Sequence, residues 1–475
     1  MLFSSIVFLF RFLPIFLFIY LLVPEKYRNL VLLSGSLIFY GVGEPYYVLL
    51  LIFSILVNYG AGRLIYRRKM QKKRNPKAGK GVLILALVYN FAMLFTFKYW
   101  DFAAENVNGL LTDTGWEIPV LQLALPLGIS FYTFQIVSYL LDCYRLNFYR
   151  GHIKERASFV QFAAYVSMFP QLIAGPIVKY EEVEEGLKQR SISSRKIEEG
   201  LKLFSIGLGL KVLLANQIGT LWNSIMTAGA GNLSAAAAWM GAFAYSFQIY
   251  FDFWGYSLMA QGLGIVLGFQ LPKNFNNPYV SKSLSEFWRR WHITLGRWFK
   301  EYLYIPLGGN RRGFLRTTFN LLVVWFLTGL WHGADWNFVL WGLFFFLLLS
   351  IEKTGLGKRL EKSKVIGHLY VILLIPVTWV IFAISDKQQL LCYLQNLVGI
   401  HTGDIIVGST QILRYLKEYG ILFIFCILFA LPYPMRLYRK FKNKWYVILI
   451  VAVVFWFSVY EIMIGSDNPF LYFRF

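Results

Sequence analysis

Long apolar runs recur along this chain of 475 residues, from Phe3 to Tyr460. An apolar run of about 20 residues is long enough to cross the hydrocarbon core of a bilayer as a helix. Only 15% of the residues are charged, whereas a soluble domain carries about 25%. The runs are too many for a single anchor on a soluble domain. They predict an all-α, polytopic transmembrane protein with about 11–13 membrane segments.

The net charge of +22 is concentrated in short loops between the apolar runs. These loops cover residues 63–80, 145–156, 353–364 and 436–444. Basic loops of this kind are typical of the cytoplasmic side of a membrane protein, where they also contact anionic lipids. The charge therefore predicts topology and contact with membrane lipids, and we expect no nucleic-acid partner.

Placing the basic loops inside gives a consistent alternation of spans, with both termini outside. The predicted spans cover residues 8–23, 29–41, 46–66, 81–99, 120–142, 200–227, 234–257, 316–332, 336–351, 366–384, 411–430 and 446–463. No soluble domain or internal repeat interrupts them. We therefore expect a single membrane-embedded domain over residues 1–475.

Two segments do not fit simple spans. Residues 169–176 are apolar but contain two prolines and a glycine, so they predict a re-entrant loop rather than a helix. In the segment 270–312, Ser283 and Glu286 form a capping-box pattern that begins a helix. We expect this helix to continue to about Tyr304 and to end before Pro306 and the following glycine pair.

The predicted helix 284–304 is strongly amphipathic. At 100° per residue, one face carries Trp288, Trp291, His292, Leu295, Trp298, Phe299 and Tyr302. The opposite face carries Arg289, Arg290, Arg297 and Lys300, with Glu286 among them. Such a helix is too basic to span, and it predicts an interfacial helix on the cytoplasmic side.

Two histidines, His292 and His332, lie in otherwise apolar and aromatic surroundings. An ionisable side chain at membrane depth is costly and indicates a functional site, and imidazole is suited to proton transfer near neutral pH. His332 is predicted to end a span before Gly333, toward the outer half of the bilayer, with Asp335 capping the next helix. His292 approaches from the inner side. The alternative is that each is a core histidine bonded to a backbone carbonyl.

Six further residues are predicted to bind the substrate or donor. Arg289, Arg297 and Lys300 could pair with phosphates of a nucleotide-containing donor, although contact with lipid headgroups explains them equally well. Asp252, an acid inside a span, could orient a histidine or pair with an arginine, or be structural. The remaining two are the tryptophans Trp291 and Trp331, which directly precede the histidines.

Other polar residues carry weaker signals. Asn274, Asn276 and Asn277 are predicted to form turns rather than to act as ligands. The three cysteines, Cys143, Cys392 and Cys426, have neither close pairing nor metal-ligand spacing, so no metal site is predicted.

Several segments together resemble the membrane-bound O-acyltransferase (MBOAT) family, and in particular its bacterial branch concerned with alginate O-acetylation. They are LPLGISFYTFQ at 125–135, FPQLIAGPI at 169–177, FDFWGYS at 251–257, EFWRRWH at 286–292, YLYIPLGGNR at 302–311 and LWHGA at 330–334. The resemblance covers nearly the whole chain. It implies that His332 matches the essential histidine of the family and His292 the usual second site residue.

The resemblance also implies an activity. The family transfers an acyl group from a cytoplasmic thioester donor to a hydroxyl along a central tunnel, with no bound cofactor. The alginate branch implies acetyl-CoA as the donor, an exported acetyltransferase partner, a polysaccharide or cell-wall acceptor, and the bacterial inner (cytoplasmic) membrane as the location. Trp254 and Leu258 depart from the family pattern, which often has a small residue and an aspartate there, so they bear on the acyl chain or partner.

The expected enzyme is therefore an O-acyltransferase, with an acetyl group the expected cargo. His332 would act as a general base on the acceptor hydroxyl, or carry the acyl group itself. His292 would orient the thioester or protonate the leaving thiolate. One alternative is D-alanyl transfer from a carrier protein to teichoic acid. A second is a transporter that moves an acyl donor or a polymer without chemistry.

Overall fold

The computed structural model describes residues 2–71, 75, 77–112, 115–145, 157–173, 175–311, 313–401, 405–465 and 470–471. Over these ranges the regular secondary structure is helical, and the one β-type pairing is an isolated bridge between Leu233 and Val407. The predicted all-α class is confirmed. Most of the predicted basic loop 145–156 and most of the C-terminal tail 467–475 lie outside the described residues.

Each of the twelve predicted spans overlaps a helix. The helices of the N-terminal part are α1 (Leu13–Leu22), α2 (Arg28–Gly43), α3 (Tyr47–Gln71), α4 (Lys80–Lys98), α5 (Trp100–Leu111), α6 (Ile129–Arg145), α7 (Phe159–Ser167), α8 (Phe169–Leu172), α9 (Tyr180–Lys188) and α10 (Ser194–Gly209). They are followed by α11 (Gln217–Thr227), α12 (Ala235–Val266), α13 (Leu284–Arg290), α14 (Ile293–Phe299), α15 (Gly313–His332), α16 (Trp336–Ile351), α17 (Gly357–Lys362), α18 (Ile366–Ala383), α19 (Lys387–Leu397), α20 (Ser409–Ala430), α21 (Tyr433–Phe441) and α22 (Trp445–Ile464). Within the described ranges, four π-helical turns extend or join them, at Phe8–Phe12, Leu210–Asn216, Lys300–Tyr304 and Glu352–Leu356.

Seven helical segments in the described ranges are long and apolar enough to cross a membrane, or eight if the pair α20 and α21, bent by 66°, counts as one span. This is fewer than the 11–13 predicted segments, partly because some apolar helices, such as Phe8–Leu22, are too short to span a bilayer alone. Large apolar side chains such as Val453 and Trp456 on α22 are exposed, as lipid-facing residues are. The protein is a multi-pass membrane protein.

The chain forms two compact units. One comprises residues 1–201 and 259–272, and the other comprises residues 202–258 and 273–475. Each unit is assembled from two stretches of the chain, and the single domain over 1–475 stays a prediction.

In the first unit, the segment 169–176 is not entirely irregular, contrary to the prediction. Phe169–Leu172 forms one helical turn, α8. Pro170 is tolerated because it occupies the first turn, where its missing N–H would have no helical partner. The Phe169 ring packs against Phe16 at 5.2 Å and Phe39 at 5.4 Å between ring centroids. Whether this turn belongs to a re-entrant loop stays a prediction.

In the second unit, α15 and α16 pack closely through two glycines. A Cβ atom on Gly329 would collide with the Phe338 carbonyl oxygen, and one on Gly342 would collide with that of Trp325. Small residues at such contacts let two membrane helices approach each other. This close packing brings the C-terminal end of α15, where His332 lies, against α16.

Candidate active site

His332 is the last residue of α15, as predicted, and the following helix begins after Asp335, whose carboxylate accepts a hydrogen bond from the Trp336 N–H at 2.6 Å. The imidazole of His332 is buried, with 5% of the residue exposed. Aromatic rings surround it: the ring centroids lie 5.1 Å from Trp341 on α16 and 5.3 Å from Phe382 on α18.

The helix predicted over 284–304 is broken, and His292 lies at the break. α13 ends at Arg290, α14 begins at Ile293, and a π-helical turn follows at Lys300–Tyr304. His292 has φ 43° and ψ 52°, in the left-handed region. A side chain other than glycine is strained there, at a cost on the order of 1–3 kcal/mol, and such residues cluster at functional sites. Helical periodicity cannot indicate a left-handed histidine, so the sequence did not reveal the break.

Although the helix is broken, the aromatic residues of this segment are buried or half-buried and its basic residues are exposed or half-buried, as the predicted amphipathic division requires. His292 is 1% exposed, and Trp291, Leu295 and Trp298 are buried. The Trp288 side chain is half-buried and packs against Trp325 on α15, with ring centroids 4.8 Å apart.

The Trp331 ring contacts both histidines. Its ring centroid lies 5.9 Å from His292 and 5.1 Å from His332. The His292 ring also contacts Phe253 on α12, edge to face, with ring centroids 4.7 Å apart. The structure therefore brings three sequence-predicted site residues, His292, Trp331 and His332, into one aromatic cluster.

Trp291 faces a neighbouring part of the aromatic core. Its ring lies 4.8 Å from Trp379 on α18, which in turn packs against Trp341 at 5.9 Å. Trp341 also contacts His332. Trp291 is thus two rings removed from His332 along this route, and its part in donor binding stays a prediction.

Asn274 is the hydrogen-bond partner of His292, with the Asn274 side-chain oxygen 3.1 Å from Nδ1 of the imidazole. This asparagine is buried, and it holds the histidine rather than forming a turn, so its prediction as a turn former was wrong. Asn277, in contrast, has φ 48° and forms a left-handed turn as predicted. The contact between Asn274 and His292 joins residues 18 positions apart and depends on tertiary packing, which a local sequence pattern does not report.

Burial lowers the pKa of His292, which lies outside the candidate spans, to about 3. The imidazole is therefore neutral at physiological pH. Its Nε2 atom is buried and has no hydrogen-bond partner within the described ranges, and the same holds for Nε1 of Trp341 next to His332. Buried polar atoms are nearly always satisfied, so these two atoms mark places where a polar substrate group could bind.

The start of α13 is held by hydrogen bonds to the Ser283 hydroxyl and to the carboxylate of Glu352. Ser283 caps the helix as predicted, with its Oγ accepting from the Glu286 N–H at 3.0 Å. The Glu286 carboxylate, however, accepts from the Lys282 N–H rather than from that of Ser283, so the reciprocal half of the capping box was wrong. The buried carboxylate of Glu352 accepts from the N–H groups of Leu284 and Ser285 at 2.6 and 2.9 Å, and from the Ser285 hydroxyl at 2.6 Å.

The side chains of the predicted donor-binding cations are exposed or half-buried, in contrast to the buried aromatic residues of this segment. Arg289 is exposed and pairs with Glu361, with Nη2 2.9 Å from Oε1. Lys300 is exposed and Arg297 is half-buried. A phosphate would have to compete with Glu361 for Arg289, which is an inexpensive exchange because exposed ion pairs contribute roughly 0–1 kcal/mol. Their role as donor ligands stays a prediction.

Asp252 pairs with a lysine rather than with an arginine or a histidine. Its Oδ1 lies 2.5 Å from Nζ of Lys211, and both side chains are buried. Its Oδ2 accepts from the Leu471 N–H at 2.7 Å. The neighbouring Phe253 contacts both His292 and Phe470. Asp252 therefore directly precedes a residue that contacts His292, and its binding role stays a prediction.

No group of three or more His, Cys, Asp or Glu side chains within the described residues could hold a metal ion. The chemistry available in the aromatic cluster is that of two buried imidazoles, which can exchange protons and orient a nucleophile.

Comparison with known proteins defines the class to which this arrangement belongs. The model of the membrane-bound O-acyltransferase (MBOAT) family matches residues 134–395, more than half of the chain. The chain belongs to this family, and it is an acyltransferase that uses an acyl donor.

Two relatives are similar over most of their length. The protein named probable alginate O-acetylase of Pseudomonas aeruginosa is 39% identical over 82% of this chain and 73% of its own. The peptidoglycan O-acetyltransferase of Helicobacter pylori is 34% identical over 100% of this chain and 98% of its own. A more distant relative, the teichoic acid D-alanyltransferase of Bacillus subtilis, is 26% identical over 58% of this chain and 69% of its own.

Proposed function

We propose that this protein is an O-acetyltransferase of the bacterial inner membrane. It takes an acetyl group from acetyl-CoA on the cytoplasmic side and delivers it to a hydroxyl of an extracytoplasmic polysaccharide or cell-wall polymer, either directly or through an exported acetyltransferase partner. The names of the two relatives that match most of the chain support the acetyl group and this class of acceptor.

One observation carries the proposal: His292 and His332 are buried in the same aromatic cluster, and each contacts the Trp331 ring. Buried ionisable groups in a membrane protein are retained for function more often than for stability. Aromatic walls of this kind limit the access of water, which would otherwise hydrolyse a thioester.

His332 is the general base in this mechanism. It takes the proton of the acceptor hydroxyl while the hydroxyl oxygen attacks the thioester carbonyl. The new C–O bond forms and the C–S bond breaks. The leaving thiolate takes the proton back from the imidazolium, which restores the neutral histidine and releases the free thiol.

His292 has the orienting role rather than the acid role. With its Nδ1 directed at the Asn274 oxygen, the free Nε2 of the neutral ring is an acceptor and has no proton for a leaving thiolate. It receives a hydrogen bond from an N–H or O–H group of the substrate and thereby holds the reacting groups in place.

D-alanyl transfer is the second candidate, since a D-alanyltransferase is also a relative. That relative matches only 58% of this chain, whereas the peptidoglycan O-acetyltransferase matches all of it. Acetyl transfer is therefore favoured. A D-alanyl carrier-protein thioester that is consumed in place of acetyl-CoA would reverse this order.

The test is turnover of acetyl-CoA by purified protein in nanodiscs, measured as release of free thiol in the presence of polysaccharide or peptidoglycan fragments. We expect His332→Ala to lower the rate by on the order of a hundredfold or more, as loss of a positioned acid–base group does. His401→Ala, a change at an exposed loop histidine, is the matched control and should turn over normally. Equal rates in the wild type and His332→Ala would reject the catalytic assignment. Transport of the donor into vesicles without thiol release would support a transporter instead.

A further inference from the structure

We propose that Asn274 is a positioning residue for acyl transfer, whose side-chain oxygen holds His292 as the tautomer with its proton on Nδ1 and leaves Nε2 as the acceptor that faces the substrate. The inference rests on the proposed function for the role of His292 in the reaction. The tautomer itself can be measured without activity.

The orientation of the Asn274 amide is fixed independently of the histidine. Its side-chain oxygen accepts from the Thr294 backbone N–H at 3.3 Å and from the Thr294 hydroxyl at 2.9 Å. Its side-chain nitrogen donates to the Ser257 hydroxyl on α12 at 3.3 Å. Because a backbone N–H can only donate, the group facing Thr294 must be the oxygen.

The same oxygen faces Nδ1 of His292 at 3.1 Å. An amide oxygen can only accept, so Nδ1 must carry the proton. A neutral imidazole has one proton on its two ring nitrogens, and Nε2 is therefore left with a free lone pair. This atom is buried and has no hydrogen-bond partner among the residues that the structure describes.

Asn274 also holds the strained backbone. Its main-chain oxygen accepts from the Ile293 N–H at 2.9 Å, directly after the left-handed His292. Since His292 makes no side-chain capping bond to α14, Asn274 supplies partners for the first two N–H groups of that helix, those of Ile293 and Thr294. One buried asparagine thus sets both the backbone conformation and the proton position of His292.

No charged group is in direct hydrogen-bond contact with the His292 imidazole among the described residues. Of the two helices whose rings contact it, α15 carries His332, next to Trp331, and Arg316 near its N-terminal end. The helix α12 carries Asp252, which is paired with Lys211, and the phenols Tyr245, Tyr250 and Tyr256. The group in direct hydrogen-bond contact with the imidazole is the neutral amide. Together with burial, a neutral partner keeps His292 uncharged.

The experiment compares Asn274→Asp and Asn274→Ala with the same two changes at Asn276. Asn276 lies in the same loop but is exposed, and its backbone N–H and C=O make its contacts to Arg290. The pH dependence of kcat and KM for acetyl-CoA is measured for each variant. In parallel, ¹⁵N spectra of histidine-labelled protein report the tautomer, with the His292 signal identified by its loss in His292→Gln.

We expect His292 to carry its proton on Nδ1 in the wild type and to remain neutral at pH 6–8. Asn274→Asp keeps an acceptor on Nδ1 but adds a negative charge, so it retains the tautomer and raises the pKa of His292, followed in the ¹⁵N spectra, by about one to three pH units. Asn274→Ala lowers kcat by tenfold or more with a mixed tautomer signal. Both Asn276 variants behave as the wild type.

Three results would overturn the proposal. The first is a wild-type His292 with its proton on Nε2. The second is an Asn274→Ala variant that keeps the tautomer and kcat of the wild type. The third is an Asn274→Asp variant that is as impaired as Asn274→Ala and leaves the pKa of His292 in the ¹⁵N spectra unshifted, which indicates a purely structural role. If the wild type consumes no acetyl-CoA, the proposed function fails, and the tautomer measurement still decides the positioning role.

Discussion

Removal of the Glu352 carboxylate should loosen the segment that carries His292. The carboxylate accepts three hydrogen bonds at the start of α13, two of them from backbone N–H groups. In Glu352→Ala, the buried Leu284 N–H and the partly buried Ser285 N–H lose their partner. Each unsatisfied buried donor costs about 1–3 kcal/mol, and the favourable charge at the helix N-terminus, worth roughly 0.3–1 kcal/mol, is lost as well. We expect Glu352→Ala to destabilise the protein by about 3–5 kcal/mol.

Glu352→Gln should lose less, because the amide keeps one accepting oxygen, and we expect about 1–2 kcal/mol from the loss of the charge-assisted bonds. The control is Glu361→Gln, which removes the exposed ion pair with Arg289. Its amide oxygen can still accept from the Ser283 hydroxyl, as Glu361 Oε1 does at 3.0 Å, so this change should alter stability by less than about 1 kcal/mol. The assay is thermal unfolding in one detergent, with acetyl-CoA turnover measured on the same samples. Similar melting temperatures for Glu352→Ala and Glu361→Gln would refute the reasoning that this carboxylate anchors α13.

Two other predictions concern the donor side and the topology. The double change Arg289→Gln and Arg297→Gln should weaken the use of acetyl-CoA by tenfold or more, since charge-assisted contacts to phosphate contribute roughly 1.5–3 kcal/mol each. If the dependence of turnover on acetyl-CoA concentration is unchanged in the double variant, the two arginines contact lipid headgroups rather than the donor. In a cysteine-free background, an impermeant thiol reagent applied to intact cells should label a cysteine at Trp116 but not one at Lys77, because the basic loop 63–80 is predicted to lie inside. Labelling of the cysteine at Lys77 would contradict the predicted topology.

The sequence predicts the helices well because a membrane imposes a simple rule on them. In the apolar core of a bilayer every backbone polar group must be satisfied within the segment, so a long apolar run becomes a helix. The caps at Ser283 and Asp335 and the helix end at His332 were likewise predicted, since capping is a local interaction between near neighbours in the chain.

The site is only partly predictable. The sequence identified His292, His332 and Trp331, which the structure places in one cluster. It missed Asn274 and Glu352, because their partners lie 18 and 67–68 residues away and depend on tertiary packing. It also missed the break at His292, because an amphipathic pattern of period 3.6 is the same whether or not one residue leaves the helical conformation.

That break gives a physical reason for the tautomer of His292. In a continuous helix, the interior N–H groups of Ile293 and Thr294 would bond to carbonyls one turn back. With the break at His292 they bond to Asn274 instead, and the oxygen that receives Thr294 also receives the imidazole. The left-handed backbone of His292 and the choice of its tautomer therefore depend on the same residue, Asn274. A variant that restored a continuous helix would remove the partner of Nδ1 and free both ring nitrogens, so the break belongs to the chemistry of the site as much as to its fold.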